Sequence, residues 1–426
     1  MIVYLICYAA SWIFARFGLY CLSGAALFLA AGYLYVYDYR RSGNLIHLRG
    51  LFSCFWVGGQ GAACLKLSKL QTDWALQTWI CFFLALVGFW ITFEVLDRLM
   101  GGNERFTMNR YRQRSTVRPL FFCIAGLTVI SAAAFVTEAA VLGFIPVLVR
   151  GVPHAYSAFH MTGLHYVTVS CVLIPAMTVL YFEQGGSRSG RKNGLIVLCA
   201  LVSIAIPILC VSRFQLVFAV ILAVFTFCAS QKNVSPWLFV AAVVALIPCY
   251  VLLTVARSHD VTYLNGIFEM KNSRMPIFVS QPYIYIANNY ENFDCLVKAL
   301  PAHTWGIRML FPVWALTGLK FLYPYLVSFP IYVDKTELTT VTLIYDAYYD
   351  FGIIGVLVFA CILGAVCFFL VEKLREMKNP MGYLFYGQMA IYMMLSFFTT
   401  WFSNPTTWFY FLVTAVLTFY CSVSRR

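Results

Sequence analysis

Ionisable residues that interrupt long apolar runs are the informative ones in this chain, because each costs about 2.5 to 3.5 kcal/mol at the centre of a bilayer. Arg213 lies in Cys210-Val211-Ser212-Arg213-Phe214-Gln215, a tight turn between two such runs with no acidic residue nearby in sequence. An arginine there needs an anion. Two readings stand: snorkelling to lipid headgroups, or binding of phosphate oxygens by the planar guanidinium. Arg257, in Thr254-Val255-Ala256-Arg257-Ser258-His259-Asp260, closes an apolar run where a polar stretch opens. It is either an interface anchor beside Asp260 or a partner of Arg213 around a diphosphate. Lys271, Arg274 and Arg308 are weaker candidates of the same kind, or simply solvated.

Glu138 ends an apolar run just before Gly143-Phe144-Ile145-Pro146. A carboxylate at that depth is a base, or it holds an arginine in an ion pair. His154, His160, His165 and His259 fall outside or at the ends of apolar runs, where an imidazole could take a proton from a sugar hydroxyl or serve only in packing. Asp346 and Asp350 lie four apart in Tyr345-Asp346-Ala347-Tyr348-Tyr349-Asp350, so a helix would project both from one face. Carboxylates beside tyrosines form a wall suited to sugars, or simply a favourable first helical turn. The Asn404-Pro405 pair reads as a turn. There is no phosphate-binding Gly-rich loop, no dinucleotide fingerprint and no metal-binding histidine pair, so neither cofactor nor metal is expected. Any reaction must draw on an activated lipid substrate or a gradient.

The elements that carry these residues follow from composition. Of 426 residues, 62% are hydrophobic and 11% charged, with a mean hydropathy of +0.79. A water-facing surface needs about a quarter charged residues, so this is an all-α, polytopic membrane protein. The fifteen cysteines lie mostly in apolar runs without ligand spacing and read as small hydrophobes. Breaks at charged or Gly/Pro-rich stretches give about twelve transmembrane helices, at 1–15, 17–37, 49–67, 74–96, 119–138, 161–182, 194–211, 214–230, 236–256, 341–371, 383–402 and 408–422. The first, lacking a basic leader, reads as an uncleaved helix.

Alternate counting puts Arg40, Arg41, Arg49, Arg98 to Arg118, Arg188 to Lys192, Lys232, Lys373 to Lys378 and Arg425-Arg426 on one side with both termini. By the positive-inside rule that side is the cytoplasm, which makes the net charge of +13 a mark of topology rather than of nucleic-acid binding. The opposite face carries two long connections. Residues 139–160 read as a re-entrant or interfacial segment. Residues 257–340, with seven Lys/Arg and six Asp/Glu, read as a large external loop of short helices over a cavity.

Taken in order, several short stretches bring a family into view. They are Glu138 through Pro146, Tyr156 to His165, Ser212-Arg213, Arg257 before the large loop, Tyr285 to Asn292, and Thr342 to Gly352 with Gly355. With the topology, they resemble the Wzy-type oligosaccharide repeat-unit polymerases of O-antigen and capsule synthesis, over nearly the whole chain. The resemblance implies an integral-membrane glycosyltransferase of the C-like type. Such an enzyme moves a growing glycan from undecaprenyl diphosphate to a second lipid-linked repeat unit, at the outer face of the cytoplasmic membrane. It implies Arg213 and Arg257 as a diphosphate clamp, Glu138, His165 and Asp350 as candidate catalytic groups, and Tyr156, His259, Tyr290 and Asp346 as substrate contacts. The bilayer and a chain-length regulator are the implied partners. A ligase of the O-antigen type shares this architecture. A flippase or secondary transporter also suits twelve helices, but would need polar groups through the midplane and a repeat that the sequence lacks.

Overall fold

A computed structural model describes all residues except 101–116, 150–154, 232–233, 236, 238–240, 242–243, 245–260, 273, 376 and 424–426. The described residues form helices and connecting turns. In chain order these are α1 (Ile2–Arg16), α2 (Tyr20–Ser42), α3 (Leu48–Cys64), α4 (Leu76–Met100), α5 (Val117–Leu142), α6 (Ala155–Ala158), α7 (Leu164–Val169), α8 (Ile174–Glu183), α9 (Gly190–Leu209) and α10 (Arg213–Ser230). After them come α11 (Val261–Phe268), α12 (Ile277–Ala299), α13 (Phe311–Leu316), α14 (Leu319–Leu322), α15 (Tyr345–Arg375), α16 (Gly382–Met394) and α17 (Pro405–Val423).

Eight helices among the described residues are long and apolar enough to cross a bilayer: Tyr20–Ser42, Leu76–Met100, Val117–Leu142, Leu164–Glu183, Gly190–Leu209, Arg213–Ser230, Tyr345–Leu374 and Pro405–Val423. This all-helical build is that of a polytopic membrane protein. Four of the twelve expected spans fall outside that set. Three form shorter helices, Ile2–Arg16 of 15 residues, Leu48–Cys64 of 17 and Gly382–Met394 of 13. The fourth, 236–256, lies largely outside the described residues. Within the expected external loop, the chain forms the 23-residue α12 as well as short helices.

The chain divides into two compact units. The first comprises Met1–Phe106, Asp260–Glu372 and Tyr392–Thr407. Here α2 packs on both α1 and α3, and small residues set the approach: a Cβ at Gly24 would stand 2.8 Å from the Gly61 carbonyl oxygen. The α15 backbone comes equally close to α4, where a Cβ at Gly364 would meet the Phe89 carbonyl at 2.5 Å. α12 packs on α3 and buries a run of polar residues, Asn288, Asn289, Glu291, Asn292 and Asp294. Asn288, Glu291, Asn292 and Asp294 find partners in the loops around them, while Asn289 donates to the Tyr285 carbonyl of its own helix. Glu291, for example, accepts from Lys66, from the Trp74 indole at 2.7 Å and from the Thr72 amide at 3.2 Å.

The second unit comprises Thr107–His259, Lys373–Ile391 and Trp408–Arg426. α5 packs on α7, α8 and α9, and α10 packs on α8. The Gln388 amide donates to the Thr414 hydroxyl at 2.7 Å, and the Tyr410 hydroxyl to the Val169 carbonyl at 3.2 Å. These bonds tie α16 and α17 into the unit by satisfying polar groups that lipid cannot.

Candidate active site

In the second unit the site is built at the end of α5. Glu138, in the last turn of that helix, is fully buried. Its Oε1 accepts the Met161 amide at 3.0 Å, and both carboxylate oxygens lie 3.2 Å from His165 Nδ1. The local sequence makes this possible. Gly163 takes φ +86°, so the chain can turn sharply from Met161 into α7 and bring His165 back over the carboxylate. Since a carboxylate only accepts, Nδ1 must be the donor, and in the neutral imidazole the lone pair then lies on Nε2. The His165 side chain remains 19% exposed, and the His160 ring stands 5.0 Å from it. An oriented, part-exposed imidazole backed by a buried carboxylate is suited to taking a proton from a hydroxyl.

The preceding segment is held down by aromatic packing. Phe159, buried, contacts Phe135 on α5 and Phe144 just after that helix, while Pro146–Leu148 forms a single 3-10 turn against α9. Arg213 opens α10 and is largely buried. The turn before it is unusual, for Val211 has φ +53°, a conformation that β-branched residues avoid. Packing holds it there, with Val211 and Leu216 burying each other against Val147 and Ile204. The Glu138 carboxylate acts electrostatically on the Cys210 thiol in the same turn. Glu138 is thus carried by the end of α5 and Arg213 by the start of α10.

In the first unit, Asp346 and Asp350 both lie in the first turns of α15, as their spacing predicts. Asp350 is fully buried and accepts from the Thr304 hydroxyl, the Arg308 amide at 3.2 Å and the Met309 amide at 2.7 Å. Asp346 accepts from the Arg308 guanidinium, which also lies over the Tyr345 and Tyr349 rings at 5.2 and 4.5 Å. Burial opposes the Arg308 charge, but the Asp346 carboxylate more than compensates and holds the guanidinium pKa above its ordinary value. Arg308, expected to be solvated, is therefore the centre of a buried cluster.

The remaining expected residues fall as follows. Tyr290 is fully buried among Trp56, Trp74 and Phe82, its hydroxyl donating to the Trp56 carbonyl at 2.7 Å. This is a core environment. The Tyr156 side chain, Arg257 and His259 lie outside the described residues. Among the described residues, no group of three His, Cys, Asp or Glu is arranged to hold a metal.

Two buried ionic clusters escaped the sequence reading. Arg49, expected as a basic loop residue, pairs with Asp38 at 2.5 Å and Glu94 at 2.7 Å and lies over Trp90 and Phe93. Lys66, with its backbone at φ +50°, reaches Glu291 across 225 positions of sequence. The signal for the first was present. Asp38 and Glu94 each interrupt an apolar helix, and a carboxylate there calls for a cation. No family model, curated protein or solved structure matches this chain.

Proposed function

We propose that this protein is a polysaccharide polymerase of the cytoplasmic membrane. It would transfer a growing glycan from undecaprenyl diphosphate to a lipid-linked repeat unit at the outer face, with twelve spans and both termini in the cytoplasm. The observation that carries the reading is the Glu138–His165 pair, with Nδ1 committed to the carboxylate and the ring part-exposed. In this reading a sugar hydroxyl of the acceptor attacks the anomeric carbon of the donor. Nε2 of His165 takes the hydroxyl proton, Glu138 holds the ring and balances the charge it gains, and the lipid diphosphate departs with the electron pair of the glycosidic bond. Arg213 and Arg257 would receive the charge that develops on the diphosphate, a role a metal often fills elsewhere. Asp350, whose three donors already occupy its carboxylate, is assigned to positioning the loop at 304–309.

The test is transfer by the purified protein in liposomes that contain undecaprenyl-diphosphate-linked repeat units. A ladder of lipid-linked polymer is expected from the native chain, and only single units from Arg213→Ala or His165→Gln. Transfer solely to a different, non-repeat acceptor would identify a ligase. Translocation of the lipid without any glycosidic bond formed would replace the reading with a flippase.

A further inference from the structure

At the far end of α5 from Glu138, some twenty residues and about 30 Å along the helix, the second unit contains a pocket of about 560 Å³. It is lined by Val117, Arg118, Phe121 and Phe122 from the start of α5, Tyr181 from α8, Gly186 to Arg188 from the connection, and Lys192 from α9. Three of these residues are cations and none is an acid. No carboxylate among the described residues pairs with Arg118, Arg188 or Lys192. Arg118 and Lys192 lie instead over aromatic faces, those of Phe122 at 6.0 Å and Phe121 at 5.9 Å.

The pocket is also built to hold its shape. Gly185 and Gly186 take φ +98° and +60°, turning the chain under α9. Asn193 then fixes the turn, accepting the Ser187 amide and the buried Tyr181 hydroxyl, each at 3.0 Å, and donating to the Ser187 carbonyl at 3.0 Å. A basic loop that served only to orient the chain in a membrane would not need such a scaffold. The first unit provides a contrast. Its basic pocket, lined by Arg40, Arg41 and Arg98, contains Glu94, and both Arg41 and Arg98 bond to that carboxylate. There the charge is answered by a carboxylate in the pocket, whereas around the second unit's pocket no described carboxylate answers it.

We propose that this pocket binds a phosphate group, and that its source is the headgroup of an anionic phospholipid. Guanidinium and ammonium donors arranged around a fixed backbone turn match phosphate oxygens, and basic pockets between membrane helices suit anionic headgroups. The surroundings favour a lipid over a soluble phosphate. Exposed apolar residues continue from the pocket along both helices, Phe122, Val129 and Val136 on α5 and Leu195, Leu198 and Leu201 on α9. Their spacings of seven and three residues give each helix a stripe along which an acyl chain can lie.

Native mass spectrometry of the full chain in detergent, titrated separately with phosphatidylglycerol, phosphatidylcholine and inorganic phosphate, tests this. Phosphatidylglycerol is expected to be retained over phosphatidylcholine. The exposed pair Arg188→Gln/Lys192→Gln should weaken its apparent affinity by roughly twenty-five-fold, about fivefold per cation removed. Arg191→Gln removes an equal charge in the same turn but outside the pocket lining, and should change the affinity by less than about twofold. Arg118→Gln, on a different helix, should weaken binding about as much as either pocket cation alone. Inorganic phosphate bound by the native chain and lost in the pair, without a preference for phosphatidylglycerol, would keep the anion site and make its ligand soluble. Equal retention of the two lipids with no phosphate bound, or an effect of Arg191→Gln as large as that of a pocket cation, would overturn the site.

Discussion

Glu138 and His165 depend on each other in ways that separate their roles. Removing the imidazole removes the proposed base, and general-base catalysis contributes about 10² to 10⁴ in rate. His165→Gln should therefore lower transfer in liposomes by that factor while the protein stays folded. Glu138→Ala also strips the Met161 amide of its acceptor, so it should lower activity and cost about 1 to 3 kcal/mol of stability, read as a lower Tm. Equal activity in both variants and the native chain would exclude the pair from the chemistry. Cys295, on α12, offers a check on burial itself. Burial, then the charges of Asp334, Asp294 and Glu291, push its thiol up to about 11. Because the thiolate is the reactive form, its alkylation followed by peptide mass spectrometry should be slow at pH 7. The rate should rise about tenfold per pH unit between pH 8 and 10. A rate that levels off near pH 9 would place Cys295 in a more polar setting.

At the level of elements, the start of α15 is fixed by one glycine and one carboxylate. Gly352 takes φ +63° and ψ −146°, which kinks the helix, and a Cβ there would stand 3.0 Å from His303 Nε2. Gly352→Ala should cost about 1 to 3 kcal/mol, measured as a loss of Tm in detergent. Asp350 distinguishes positioning from catalysis. If it holds the 304–309 loop, Asp350→Asn keeps an acceptor oxygen and should retain part of the activity that Asp350→Ala loses, with limited proteolysis of that loop faster in the alanine variant. Equal loss of activity in both variants with no change in proteolysis would make it a catalytic group instead. Given the apolar run that marks α15 as a helix, the common face of Asp346 and Asp350 was legible from their spacing. That Arg308 would leave water to bond Asp346 was not, because the two lie 38 positions apart and only the folded loop brings them together.

Across the first unit, buried ion pairs join segments far apart in sequence. Lys66 and Glu291 have side chains only 6% and 2% exposed. Lys66→Met would strand a buried carboxylate and should cost about 3 to 5 kcal/mol, whereas Lys66→Met/Glu291→Met should recover most of that loss. A double variant no more stable than the single one would mean that the Trp74 indole and the Thr72 amide, left without their acceptor, cost as much as the stranded carboxylate. The orientation of the chain is open to direct measurement. Cysteine-accessibility labelling in intact cells should find the 184–189 connection inside and the 143–149 segment outside, and the reverse would invert the proposed topology.

The sequence by itself determined that this is an all-helical membrane protein, roughly where eight of its apolar helices lie, and which ionisable residues interrupt apolar runs. Those properties are local, since hydropathy and helix period are summed over neighbouring residues. Tertiary structure alone decided which charges meet. Glu138 found His165 rather than an arginine, Arg49 turned from a loop cation into a buried partner of Asp38 and Glu94, and Tyr290 became part of the core. A charge in an apolar run announces that it needs a partner, but the partner comes from another helix, and its identity depends on packing across tens to hundreds of positions.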